Sequence, residues 1–138
     1  MIQLDTTYMG LKLRSPIIAS SSGITENMKR LKELDQNGIG AVVLKSLFEE
    51  QINQETGQAL ASSDYPEAAD YIRAYAEDHE VSDYIKLIEQ SKQELTAPVI
   101  ASINAVNPDN WVKYARQFVE AGADAIELNI NIIPTNQQ

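Results

Sequence analysis

Two ten-residue stretches constrain this chain more than any other feature. NGIGAVVLKS, residues 37–46, and AGADAIELNI, residues 121–130, align without a gap, 84 positions apart. Each sets a glycine after a helical pattern and then runs through a mostly apolar stretch to a polar end, Lys45 in one and Asn129 in the other. A helix-stop glycine followed by an apolar strand is also generic to α/β chains, so the echo reads either as an internal repeat or as ordinary βα chemistry. On both readings, strands alternate with helices.

The rest of the chain extends that alternation. LDTTY and LKL flank Met9-Gly10 and read as a hairpin. PIIAS follows as a strand, and Thr25 is placed as N-cap of a helix over ENMKRLKELDQN, with Met28, Leu31 and Leu34 inward and Gly38 as its stop. A long polar connection, 49–64, comes after the AVVLK strand. Ala68, Ala69, Ile72, Tyr75 and Ala76 fit one short helix, and Tyr84, Ile88, Ser91 and Leu95 a second. APVIASIN is the next strand. Asn107 caps a further helix, Pro108 takes its first position, and Asp109 suits its positive end. Trp111, Val112, Ala115, Phe118 and Val119 form its apolar stripe, and Gly122 ends it before DAIELNI. Strands starting near 17, 41, 98 and 125, separated by amphipathic helices, predict a parallel sheet in one domain over 1–138.

Composition removes several function classes. The net charge of −9 repels phosphate backbones and anionic membranes, so nucleic acid and membrane surfaces are not expected partners. There is no cysteine, hence no thiolate nucleophile or cysteine metal site, and the one histidine, His79, lies in the acidic run AEDHEVSD. MIQLDTTYMG lacks the charged and apolar regions of a signal peptide, and no apolar run approaches membrane-spanning length, so a cytoplasmic protein is the expectation.

Ligands of parallel α/β sheets sit at the carboxyl ends of the strands. Polar residues occupy these ends throughout: Ser20-Ser21-Ser22-Gly23, Lys45-Ser46, Ser102 with Asn104, and Asn129 with Asn131. Loops are polar in any protein, so position alone is a weak sign. Parity adds to it. Lys45 shares a face with Val43 and Ala41, and Asn129 with Glu127 and Ala125, while Val42, Leu44, Ile126 and Leu128 face the helices. In a barrel, Glu127 would then lie one layer below Lys45 and Asn129 and need a partner, either Lys45 or a residue of another strand. Lys45 itself has three open roles: a fixed cation beside a cofactor, a Schiff-base amine, or a lysine snorkelling from a strand end.

LDTTYMGLKLRSPIIASSSG, AVVLKSLFEEQI, PVIASIN, NWVKYARQFVEAGADAIELNI and IPT together resemble the amino-terminal half of the dihydroorotate dehydrogenase family, in particular its dihydroorotate dehydrogenase-like branch. The PVIASI and GADAIELN segments are also similar to the FMN domain of dihydropyrimidine dehydrogenases. The resemblance covers nearly the whole chain. It implies about four of the eight units of an FMN-dependent (β/α)8 barrel, preceded by a β-hairpin, in an oxidoreductase moving hydride between flavin and a small cyclic substrate of pyrimidine type. Residue by residue it implies that Ala19, Ser20, Ser22 and Gly23 lie along the flavin ring. Lys45 would meet the pyrimidine edge of the flavin and the substrate, Ser102 would face the flavin, and Asn129 would contact flavin or substrate.

Two departures accompany it. The catalytic base expected in this family, a Cys or Ser, falls on Ile132, or on Ile133 with one inserted residue, and neither accepts a proton; Thr135 is the nearest hydroxyl. A (β/α)8 barrel also takes roughly 200–250 residues and grips phosphate after its seventh and eighth strands. A half-barrel is therefore expected to lack that grip and to expose open edges. The expected partners are a second copy or the missing half, and the alternative expectation is an inactive chain that acts only by association.

Overall fold

A computed structural model describes residues 4–49 and 69–130. Strands β1 (Thr6–Tyr8) and β2 (Leu11–Leu13) form an antiparallel hairpin. Met9 and Gly10, at φ 50° and 79°, supply the two left-handed positions that a tight hairpin turn requires. β3 (Ile18–Ala19), β4 (Ala41–Val43), β6 (Val99–Asn104) and β7 (Ala125–Leu128) then pair in parallel and in chain order, with β5 (Leu47–Phe48) continuing the line of β4 along β6.

Strand order that follows chain order, joined by right-handed crossovers, sends every helix to one face. The packing agrees. Val42, Leu44, Val99, Ala101 and Ile103 bury against Leu31 of α1 (Met28–Gln36), Val81, Tyr84 and Ile88 of α2 (Ala69–Glu94), and Tyr114 and Phe118 of α3 (Pro108–Glu120). The alternate residues Ala41, Val43, Ile100 and Ala125 face the other way and pack with Leu11, Leu13 and Ile18. The hairpin thus plugs the inner face at the amino ends of the strands. One-sided winding with a plugged interior is the arrangement of successive βα units of a (β/α)8 barrel, as expected.

The helix ends follow local chemistry, with corrections to the sequence reading. Asn27, not Thr25, caps α1, accepting from Arg30 N at 3.1 Å. The hydroxyl of Thr25 is taken by the preceding turn, accepting from Ser22 N and donating to Ser22 O, and its side chain is fully buried. Residues 69–94 form one helix rather than two. The helix runs on through the acidic stretch around His79, with Asp78, His79 and Glu80 exposed and Val81 turned into the core, so its polar side chains face solvent and interrupt nothing. In α3, Asn107 caps and Pro108 opens the helix as expected. The core side of α3 holds Tyr114 and Phe118, while Val112 and Val119 from the expected stripe are exposed. Gly38 and Gly122, at φ 83° and 99°, end α1 and α3 alike. Between them the echo differs for a reason. A Cβ on Gly40 would lie 1.9 Å from Ser15 O, where the chain entering β3 crosses, whereas its counterpart Asp124 uses the space to accept from Val99 N and Lys92 Nζ.

The second parallel strand carries a bulge. Val43 pairs with Ile100 and Leu47 with Ile103, so four steps on one strand match three on its neighbour. The extra residue breaks the ladder opposite Ser102. The Tyr84 hydroxyl fills the gap from α2, accepting from Ser102 N at 2.9 Å and donating to Ser102 O at 3.3 Å. Burial pushes this phenol far above its usual range, and the nearby Glu127 charge adds to the shift, so it stays a neutral donor and acceptor. At the opposite end of the sheet, Asp35 ties α1 to the start of β6. Its carboxylate accepts from Thr96 N, Ala97 N and Thr96 Oγ1 and pairs with Arg14 at 2.8 Å. Partial burial opposes ionisation there, but these bonds and the guanidinium outweigh it and hold the pKa below the usual 3.8.

Two outcomes follow. Tyr84→Phe leaves two buried backbone groups unpaired and is expected to destabilise the fold by about 1–3 kcal/mol, read from the urea midpoint; an unchanged midpoint would remove the plugging role. For Asp35, a lowered folded pKa means that its stabilisation is complete above pH 3.8 and is lost as pH falls through the folded value. The stability gap between wild type and Asp35→Asn should therefore be widest at neutral pH and close on acidification. A gap independent of pH would contradict this.

Candidate functional site

The bulge decides which side chains enter the interior. With the extra residue in place, Ser46 rather than Lys45 reaches the rung of Ser102, and Ser102 pairs with Glu127 on β7. This polar rung lies directly above the apolar rung of Val43, Ile100 and Ala125. Ser46 is 7% exposed and Ser102 fully buried. Their hydroxyls are 2.7 Å apart, and Ser102 donates to Glu127 Oε1 at 2.6 Å. On the other side Ser21 Oγ lies 3.0 Å from Ser46 Oγ and accepts from Ser46 N at 2.9 Å. The amide of Asn129 reaches Ser46 Oγ at 3.4 Å. The turn carrying Ser20 to Ser22 is stapled by Thr25, whose carbonyl also accepts from Lys45 N.

Above this rung opens a cleft of about 570 Å3 at the carboxyl ends of the strands. Ser20, Ser21 and Ser22 form one wall, Glu127 to Ile130 the other, and Lys45, Ser46 and Phe48 lie between. Of the residues singled out from the sequence, Ser20, Ser22, Lys45 and Asn129 line this cleft. Ser102 lies beneath it as part of the rung, Ala19 ends β3, and Gly23 is exposed on the turn. Asn131, Ile132, Ile133 and Thr135 lie outside the described residues.

Lys45 stands at the rim instead of over Glu127. Its ammonium pairs with Glu26 at 3.1 Å, with both side chains more than two-fifths exposed. The partner of Glu127 is Ser102, a residue of another strand, so the Lys45–Glu127 pairing considered from the sequence does not form. An exposed pair such as Lys45–Glu26 is worth about 0–1 kcal/mol, so the ammonium is free to turn to an anionic or carbonyl group in the cleft. On its outer side Lys45 also borders a second space of about 720 Å3, shared with Glu26 and with Glu80, Asp83 and Lys86 of α2. The inner cleft, unlike this space, takes no residue from α1 or α2.

Glu49 is a further buried carboxylate, but a structural one. It accepts from Val106 N at 2.7 Å, Asn107 N at 3.1 Å and the Asn110 amide at 2.7 Å, and so holds the start of α3. His79 pairs with Asp83 on the exposed face of α2, remote from the cleft lining. Among the described residues no cluster of His, Asp or Glu could hold a metal ion, and no helix is long and apolar enough to cross a membrane.

Glu26 and Tyr84 are absent from the sequence-based site. Ser21 and Ser46 appear there only as polar residues at strand ends, with no role of their own. The exchange of Lys45 for Ser46 depends on the bulge, and no glycine or proline near residues 43–47 marks it.

The donor set suits a flat heteroaromatic ring bearing carbonyls and ring nitrogens. A cation and an amide lie at the rim, serine hydroxyls and the Glu127 carboxylate lie below them, and Phe48 supplies an apolar edge. It suits the ring better than a phosphate, since Lys45 is the one cation lining the cleft among the described residues.

No family model matches the chain. Several curated proteins do. The catalytic subunit of dihydroorotate dehydrogenase B (NAD(+)) from Thermoplasma acidophilum is 28% identical over 132 residues, covering 95% of this chain and 42% of that protein. Dihydroorotate dehydrogenase A (fumarate) of Limosilactobacillus reuteri is 30% identical, over 94% of this chain and 42% of its own length. The NAD-dependent dihydropyrimidine dehydrogenase subunit PreA of Escherichia coli (strain K12) is 26% identical, over 93% and 32%. The chain therefore spans about two-fifths or less of the length of these relatives, and over nearly all of its own length it is similar to the dihydroorotate dehydrogenases, the family that its strand-end residues resemble.

Proposed function

We propose that the cleft is the strand-end part of an FMN site in an oxidoreductase that moves hydride between flavin and a small cyclic substrate of pyrimidine type. The observation that carries this is the placement of Lys45 and Asn129 over serine hydroxyls, with the Glu127 carboxylate beside them, at the carboxyl ends of parallel strands. The similarity to dihydroorotate and dihydropyrimidine dehydrogenases supports it. The flavin would supply the two-electron chemistry. The chain's own part is to hold and polarise the ring. Ser20 and Ser22 would lie along it, and Asn129 would hydrogen-bond its polar edge or the substrate. Lys45 would leave Glu26 to place a positive charge where negative charge develops.

A second reading, association with another chain without catalysis, is favoured by one surface. Val112, Val119, Leu128 and Ile130, all more than half exposed, line an apolar groove of about 850 Å3 along α3 and β7. Such patches mark interaction sites.

Two measurements bear on these readings. In a fluorescence titration of the 138-residue chain, FMN and riboflavin should bind alike and more weakly than about 1 μM, because the cleft grips the ring and not the phosphate. Lys45→Met should weaken both by about 10-fold or more, the size of a charge-assisted hydrogen bond. Equal binding by wild type and variant would overturn the role of Lys45, and submicromolar binding of FMN alone would overturn the absence of a phosphate grip. For the second reading, sedimentation of wild type and Val119→Glu should show self-association that the variant loses; a wild-type monomer at tens of micromolar would remove association with a second copy.

A further inference from the structure

The rung beneath the cleft has a direction. A carboxylate only accepts, so on the 2.6 Å contact the Ser102 hydroxyl donates to Glu127 Oε1. That uses the single Ser102 proton, and on the 2.7 Å contact Ser46 must therefore donate to Ser102. By the same count Ser21 donates to Ser46 across 3.0 Å, while Ser46 N–H and the Asn129 amide supply the remaining donors. The result is a single-file line, Ser21 to Ser46 to Ser102 to Glu127. Its two middle members are at least nine-tenths buried, and both ends lie on the cleft.

We propose that Ser21, Ser46 and Ser102 form a proton relay that joins the β3 wall of the cleft to Glu127, making Glu127 the proton acceptor for a ligand group at Ser21. Its use in a reaction rests on the reading of the cleft as an oxidoreductase site; the relay itself rests on the hydrogen bonds. In the step, the ligand's proton bonds to Ser21 Oγ as the Ser21 proton passes to Ser46. The Ser46 proton passes to Ser102, and the Ser102 proton to Glu127. The ligand loses one proton, Glu127 gains one and becomes neutral, and no electron moves. Protonated Glu127 then donates to Ser102, the line reverses, and the Ser21 hydroxyl is left free to donate into the cleft. Among the described residues, the ionisable groups around Glu127 are Lys45 of the same cleft, which pairs with Glu26, and Tyr84 behind Ser102. A base reached through Ser21 also gives the cleft a proton acceptor on its described walls, independent of positions 132 and 133.

The test follows side-chain 13C shifts of the 138-residue chain through a pH titration, with no flavin present. The Ser21 Cβ shift should move with the same midpoint as Glu127 Cδ. Ser46→Ala, and separately Ser102→Ala, should abolish the Ser21 response while Glu127 still titrates. The spectrum itself reports whether each variant is folded. A Ser21 shift that stays flat while Glu127 titrates in wild type overturns the relay. So does a response that survives in a folded Ser46→Ala, since it then reflects charge through space. Coupled titration without flavin binding would retain the relay and drop the flavin reading. Flavin binding with a flat Ser21 would do the reverse.

Discussion

One extra residue between Val43 and Leu47 sets the character of the whole strand-end surface. Without it the second parallel strand would run in step with β6, and the ladder would close over Ser102. With it, the backbone of Ser102 loses its strand partner and takes the Tyr84 hydroxyl instead. This exchange is tolerable because the hydroxyl can both accept and donate, so neither buried backbone group goes unpaired. The bulge therefore couples the long helix α2 to the floor of the cleft through one phenol, which burial keeps neutral.

The same insertion sorts the side chains. It turns Ser46 inward to complete a line of hydroxyls and releases Lys45 to the rim, where Glu26 holds it loosely. The interior is thus graded along the strands. Leu13 and its neighbours on the hairpin plug the amino end. A rung of Val43, Ile100 and Ala125 follows, then the polar rung, then the cleft. Apolar burial holds the first two levels, while the third is held by hydrogen bonds that need the first two in register. Apart from Glu127 in the polar rung and the buried Glu49 at the start of α3, the charges named above lie nearer solvent, as the pair Lys86 with Asp83 does on the exposed face of α2.

Much of this was legible in the residues. Glycine at 38 and 122 demands a left-handed stop, and the apolar pairs after each demand a strand with one face under helices; both follow from sterics and period alone. Asn107-Pro108-Asp109 is a local signal for a helix start and behaves as one. The failures were local signals overridden by contacts. Thr25 has the chemistry of an N-cap, but its hydroxyl is committed to Ser22, and Asn27 takes the role. Val112 and Val119 have helical spacing with Phe118, yet a stripe wider than the core contact leaves its margin exposed at the β7 edge.

Sequence by itself determined the βα alternation, the parallel order of the strands and the gathering of serines, a lysine and an asparagine at their carboxyl ends, because periodicity, glycine sterics and turn chemistry act over a few residues. Tertiary structure alone decided which of Lys45 and Ser46 faces inward, which partner Glu127 takes and how Ser21 joins the line. Each of those depends on register between strands. Register is a property of pairs of segments far apart in the chain, and a single insertion in one of them moves every side chain beyond it to the opposite face.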